Sequence, residues 1–146
     1  MSELKIYNAV KRPTAGEKRE LVDFLHKSLE QYGDPKKDIR KAIDYSVKEI
    51  PSFGGFTMAM KNEGRIMGVV VINGTGMGGY IPENILVYIA TDKNSRGKGI
   101  GRKIMEEAIA YAKGDIALHV EAENPAKFLY EKLGFTNPYL EMRLKK

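Results

Sequence analysis

Six consecutive residues concentrate the chemistry available to this sequence: Arg96-Gly97-Lys98-Gly99-Ile100-Gly101. Glycine has no Cβ, so a backbone containing it can approach a ligand closely and adopt positive φ. Where such a segment runs into a helix, its free N–H groups point outward and carry the positive end of the helix dipole. Arg96, Lys98, Arg102 and Lys103 add cations on either side. The segment is an anion cradle by composition, and the question is which anion it takes.

Two phosphate loops compete poorly for it. A nucleoside-triphosphate loop needs Gly-Lys followed by Ser or Thr, and no Gly-Lys pair here has that successor. A dinucleotide fingerprint, Gly-x-Gly-x-x-Gly, begins correctly at Gly97 and Gly99 but meets Arg102 at its third glycine. Glu121, about 20 residues on, stands where a ribose-binding acid would. That fingerprint normally joins the first strand and helix of a larger doubly wound domain, whereas only a short tail follows here. Other chemistries drop out by residue type. There is no cysteine, so no thiol nucleophile, disulfide or thiolate metal site exists. The two histidines, His26 and His119, lie far apart and lack ligand-spaced partners, so no metal site is expected.

The elements that must position the cradle follow from periodicity and punctuation. The 146 residues, 42% hydrophobic, suit a single domain over 1–146 with a real core. Leu4, Ile6 and Val10 predict a first strand. Thr14 and Glu17 form a capping-box pattern that opens a helix running to about Tyr32, its apolar face Leu21, Phe24, Leu25, Ser28 and Leu29, with Gly33 ending it. Asp34-Pro35 predicts a second helix, with the carboxylate as cap and Pro at the first helical position. Ile39, Ala42, Ile43, Val47 and Ile50 give its buried face, and Pro51 stops it. Phe56–Met60 and Ile66–Ile72 predict a hairpin about Asn62-Glu63-Gly64. Val69 to Ile72 is apolar on both faces, as in a strand covered on two sides. The glycine-rich run from Asn73 to Gly79 is a connector without cations or a following helix. Ile85–Ala90 is a further strand leading into the cradle. A helix follows with Ile100, Ile104, Met105, Ala108, Ile109 and Ala112 on one face, ended by Gly114. Ile116–Val120 is the next strand, Asn124-Pro125 opens a short helix ended by Gly134, and Tyr139–Leu144 is a last strand. The order is an α/β fold with a mixed sheet.

Arg-x-x-Gly-x-Gly, matched by Arg96, Gly99 and Gly101, resembles the GNAT superfamily of N-acetyltransferases. Asn124-Pro125-Ala126-Lys127-Phe128-Leu129-Tyr130-Glu131-Lys132-Leu133-Gly134-Phe135 resembles that family's second signature: an Asn after a strand, a helix with Tyr, then Gly-Phe. The likeness covers essentially the whole chain, most specifically Ile85 to Phe135. It implies a mixed, centrally splayed β-sheet flanked by helices and acetyl-CoA as co-substrate. It also implies that backbone groups of Ile89, Ala90 and Thr91 hold the pantetheine arm. Amides from Arg96, Gly97, Lys98, Gly99, Ile100 and Gly101 would hold the pyrophosphate, with Lys98, Arg102 and Lys103 as countercharge and Asn124 and Lys127 beside the cofactor.

The resemblance further implies an acetyl transfer by direct attack of an amine on the thioester. Tyr130, a phenol of pKa about 10, is expected to protonate the departing thiolate. Glu83, at the entry of the strand before the cradle, is the expected general base, with Glu121, Glu123 and His119 as alternatives reaching through water. An amphipathic core-edge role for Tyr130 and a structural role for His119 compete with these. The acceptor is a primary amine of a small molecule, an amino acid, a peptide or a lysine, selected by residues 25–50 and 73–81 with Phe53 and Phe56. A non-catalytic acyl-CoA sensor of the same fold is the rival function. The net charge of +5 and the basic second helix also admit nucleic acid, but Asp38, Asp44 and Glu49 interrupt that stripe. With no apolar run near the ~20 residues a span requires, and no secretory pattern at the N-terminus, a cytoplasmic location away from membranes is expected.

Overall fold

Val69, Val70, Val71 and Ile72 are all fully buried, and they mark the middle of the sheet. The computed structural model describes residues 2–146. In chain order the elements are β1 (Ser2–Tyr7), α1 (Ala15–Leu29), α2 (Lys36–Ser46), β2 (Gly55–Asn62), β3 (Arg65–Gly74), β4 (Asn84–Thr91), α3 (Ile100–Tyr111), β5 (Ile116–Leu118) and α4 (Ala126–Lys132). The strands lie in the order β1-β2-β3-β4-β5. The first four pair antiparallel, and β5 joins β4 in parallel. A parallel neighbour requires a crossover, and α3 provides it.

Strand periodicity sorts the core into two layers. Val69 and Val71 of β3 join Leu21, Val22 and Leu25 of α1 and Ile39 and Ile43 of α2 on one face. Val70 and Ile72 meet Ile104, Met105 and Ala108 of α3 on the other. Gly68 lets α3 come down onto β3, since a Cβ there would lie 3.2 Å from Ile100 Cγ2. The sheet is therefore covered by α1 and α2 on one side and by α3 and α4 on the other, as the mixed α/β reading expects.

Local signals are realised closely where they are self-sufficient. Thr14 and Glu17 close a reciprocal capping box. Glu17 Oε2 also accepts from Lys5 Nζ at 2.9 Å and from Tyr7 Oη at 3.1 Å, fastening β1 to the start of α1. The Thr14 backbone N–H and the Lys5 ammonium hold the Glu17 carboxyl down at about 2.

Four expectations are corrected. Val10 is outside β1 and 95% exposed, because the chain turns after Tyr7 with Asn8 Oδ1 accepting from the backbone of Val10 and Lys11. The last turn of the first helix tightens to a 3-10 turn over Glu30–Tyr32. Asp34 does not cap α2; its Oδ2 accepts from Tyr88 Oη instead, so a tertiary partner outcompetes the local cap. The strand expected over Tyr139–Leu144 does not form, and Leu140, Met142 and Leu144 are 84–89% exposed. An alternating pattern becomes a strand only against a partner, and the edge offered by β5 is three residues long.

Candidate functional site

The sheet opens where β4 bulges. Across the ladder Val71 pairs with Tyr88, but the next residue, Ile72, pairs with Leu86, which leaves Val87 as the extra residue in β4. A bulge bends its strand and increases the local twist. On the opposite edge, β4 pairs with β5 only at Asn84, Ile85 and Leu86. From Val87 to Thr91 that edge of β4 has no neighbouring strand among the described residues, which leaves its outward N–H and C=O groups without a ladder. Ile89, Ala90 and Thr91 lie on this open stretch.

The open edge leads into the glycine segment. Asp92 N–H bonds to Met67 O at 2.9 Å, and Asp92 Oδ2 accepts from Arg65 at 2.8 Å, so the strand end is anchored before the loop begins. Gly97 and Gly99 both adopt positive φ, at 87° and 76°, and a Cβ added to either would meet nothing within 4 Å. Gly99 is the residue from which α3 starts. No side chain caps the first N–H groups of α3, and the two glycines before them leave the approach free of their own side chains. At Gly101 a Cβ would sit 3.4 Å from Leu129 Cδ2 and 3.6 Å from Thr91 Cγ2. The start of α3, the end of β4 and α4 thus converge on one spot.

The cations divide into two groups. Lys98 and Lys103 flank a depression of about 290 Å³ floored by Met60, Met67 and Ile100. Arg102 reaches Glu106 one turn along α3 at 3.4 Å. Lys127 on α4 lies 5.8 Å from the Phe128 ring centre. The Arg96 side chain is engaged away from the glycine segment. Its Nη2 donates to Ser28 O and to Glu30 Oε1, each at 3.3 Å, tying the loop to the end of α1.

At the start of α4, Pro125 stands at the N-cap itself, in place of the expected Asn124, and Asn124 Oδ1 accepts from Ala126 N–H at 2.9 Å, bracing the turn into the helix. Tyr130 is 7% exposed and packs edge-to-face on Phe135. Its hydroxyl has no hydrogen-bond partner among the described residues. Burial pushes the phenol up to about 12, so it is a proton-bearing donor at neutral pH.

Glu83 stands apart from this group. Its Oε1 accepts from Asp115 N–H at 2.7 Å and its Oε2 from Gly79 N–H at 3.4 Å, and these bonds hold its pKa below the usual carboxylate value. The carboxylate straps the turn after α3 to the entry of β4. His119, half-exposed beyond β5, lies 3.9 Å from Glu141. Glu121 O accepts from Asn124 N–H in the turn before α4, and Glu121 and Glu123 are exposed. Among the described residues, no three His, Cys, Asp or Glu side chains stand together as a metal-ligand group.

Sequence reasoning passed over Tyr88 and the bulge beside it. Tyr88 is buried on the α1/α2 face and donates to Asp34 at 2.5 Å. A tyrosine inside an apolar strand was the available signal, but its partner lies 54 residues away.

The open β4 edge, the glycine segment and the helix with Tyr130 all fall inside a stretch that matches a known family. Residues 54–137 fit the family model described as acetyltransferase (GNAT) domain, and the chain belongs to that family. Solved structures agree in fold. The ribosomal-protein-S18-alanine N-acetyltransferase of Escherichia coli is 16% identical over 95% of this chain and 80% of its own, with a TM-score of 0.69. Protein PH1933 of Pyrococcus horikoshii OT3 is 26% identical over 96% and 93%, also with a TM-score of 0.69. The ribosomal-protein-alanine N-acetyltransferase of Brucella melitensis is 11% identical over 100% and 99%, with a TM-score of 0.66. Comparison with curated proteins returns no match.

Proposed function

We propose that the chain transfers an acetyl group from acetyl-CoA to a primary amine of a small molecule, peptide or protein. The observation that carries this reading is the edge of β4 from Val87 to Thr91, without a strand partner among the described residues and continuous with a helix start that no side chain caps. An extended amide-bearing arm can add to such an edge as a strand would, through main-chain hydrogen bonds. An arm ending in a pyrophosphate then meets the Gly97–Gly101 amides, the α3 dipole, Lys98 and Lys103.

The transfer forms an amide N–C bond and breaks the thioester C–S bond. The amine gives up its proton to solvent water, the departing thiolate takes one from Tyr130, and solvent restores the phenol, so protons balance over the turnover. A thioester is already activated, so positioning and proton management are what the chain must add. Tyr130 supplies the proton toward the thiolate from a buried ring whose hydroxyl is otherwise unengaged. Asn124 fixes the start of the helix that carries it. Glu83 is left out of the proton path, because backbone N–H groups hold both of its oxygens and a depressed pKa makes it a poor base at neutral pH. The site works inside the cell, where acetyl-CoA is available.

The test is consumption of acetyl-CoA against a panel of amines, alongside calorimetric binding of CoA. Acceptor-dependent release of CoA is the expected result. Tight CoA binding without turnover on any acceptor would replace this reading with the acyl-CoA sensor.

A further inference from the structure

Arg96 opens the glycine segment, yet its charge is engaged by the far end of another element. Its Nη2 donates to Glu30 Oε1 and to Ser28 O, each at 3.3 Å, and Lys93 Nζ lies 3.8 Å from the same Glu30 oxygen. Neither cation has another carboxylate partner among the described residues. One carboxylate at the end of α1 therefore faces both cations that lead into the segment. The contacts are loose. A charge-assisted N–H···O bond closes to about 2.7–2.9 Å. Both cations stand farther off than that, and all three side chains are more than a third exposed. A pair of this kind contributes little and yields to a stronger anion. Arg96 is three residues from Gly99, where α3 starts, a span of at most about 10 Å. A phosphate seated at the first N–H groups of α3 thus comes within range of a long side chain at Arg96.

A separate observation concerns the backbone of Glu30. It closes α1 at φ 54° and ψ −128°, a conformation that residues other than glycine adopt at a cost and keep only when their surroundings hold them there. It also begins the connector to α2, whose 3-10 turn over Glu30–Tyr32 buries no residue. Two side-chain hydrogen bonds tie this connector to the sheet side of the fold among the described residues, Arg96 to Glu30 and Tyr88 of β4 to Asp34. The strained residue is the one that faces the two cations, so whatever takes those cations away also frees its backbone.

We propose that Glu30 is an internal stand-in for a phosphate of the donor. It occupies Arg96 and Lys93 in the bare chain, the arriving pyrophosphate displaces it, and the connector between α1 and α2 is released at its α1 end. This rests on the transfer proposed above and gives that site a built-in brake on donor binding. Arg96 and Lys93 then join the Gly97–Gly101 amides around the pyrophosphate. Donor entry in this way loosens part of the stretch expected to select the acceptor.

The experiment measures calorimetric binding of CoA and of inorganic pyrophosphate to the full chain, Glu30→Gln, Arg96→Ala and the double variant, each checked by melting curve. Glu30→Gln is expected to bind both about threefold more tightly than wild type, the scale of a half-exposed ion pair. A carboxylate that merely braces the loop predicts the opposite sign. Arg96→Ala should bind both more weakly, and in that background Glu30→Gln should gain less than it does alone. Equal or weaker binding by Glu30→Gln overturns the proposal, as does a gain that Arg96→Ala leaves intact. Hydrogen exchange over residues 30–35 should quicken when CoA saturates the wild type, and unchanged or slower exchange overturns the release of the connector. A wild type that binds pyrophosphate but not CoA overturns the transfer reading, while the sign of the Glu30→Gln effect on pyrophosphate still decides the displacement. Binding of neither overturns both.

Discussion

Tyr130 and Glu83 show how residue type and residue circumstance separate. Both were legible as candidates, since a phenol and a carboxylate sit near the expected places. The structure leaves the phenol hydroxyl free and occupies both carboxylate oxygens. Tyr130→Phe is expected to lower kcat by about 10²-fold or more, as loss of a general acid does, with CoA affinity unchanged by calorimetry. Glu83→Gln should keep kcat within about twofold while lowering the melting temperature, because one strong acceptor for the Asp115 N–H is weakened. A steep loss of kcat in Glu83→Gln with an unchanged melting curve would restore it as the base. Arg96 teaches the same lesson in reverse. Its charge was readable, but its contact with Glu30 depends on how the end of α1 folds back, which no local pattern encodes.

At the level of elements, local grammar carried far. The Thr14–Glu17 box and the glycine start of α3 formed as their residues predict, while α4 starts one residue later than Asn124-Pro125 suggests. Asp34 looked equally well placed as a cap and was taken by Tyr88 of β4. The bulge at Val87 was invisible because valine suits either face of a strand, and only the pairing with β3 reveals the extra residue. The missing strand over Tyr139–Leu144 has the same cause, since pairing is non-local. The glycine segment gives a test that separates fold from ligand approach. Gly99→Ala places an alanine at a φ of 76°, at a cost of roughly 1–2 kcal/mol. Its Cβ also projects into the space above the helix start, so CoA affinity should fall at least about tenfold. Gly101→Ala has ordinary contacts and no positive φ, and its melting temperature should match the wild type.

For the molecule as a whole, a sheet covered on two sides was readable from the apolar run Val69 to Ile72, whereas the strand order β1-β2-β3-β4-β5 rests on non-local pairing that no local pattern encodes. Stability in acid depends on the fastening of β1 to α1. The Glu17 carboxyl is held at about 2 against an ordinary 4.5, so its contribution is complete above 4.5 and is lost as pH falls from there toward 2. Glu17→Gln should melt lower at neutral pH and show a shallower decline across that interval, measured by thermal unfolding at a series of pH values.

The three-residue ladder between β4 and β5 has a consequence for how the chain breathes. Amides on the free edge of β4 lack a strand on one side, so hydrogen exchange there should be fast in the bare chain and slow once the acyl donor is bound. In the proposed function the donor is the missing neighbour in the sheet, and the melting temperature should then climb with its concentration by mass action. Each turnover would return the sheet to its unfinished form, which makes release of the product CoA a partial unzipping of the protein itself.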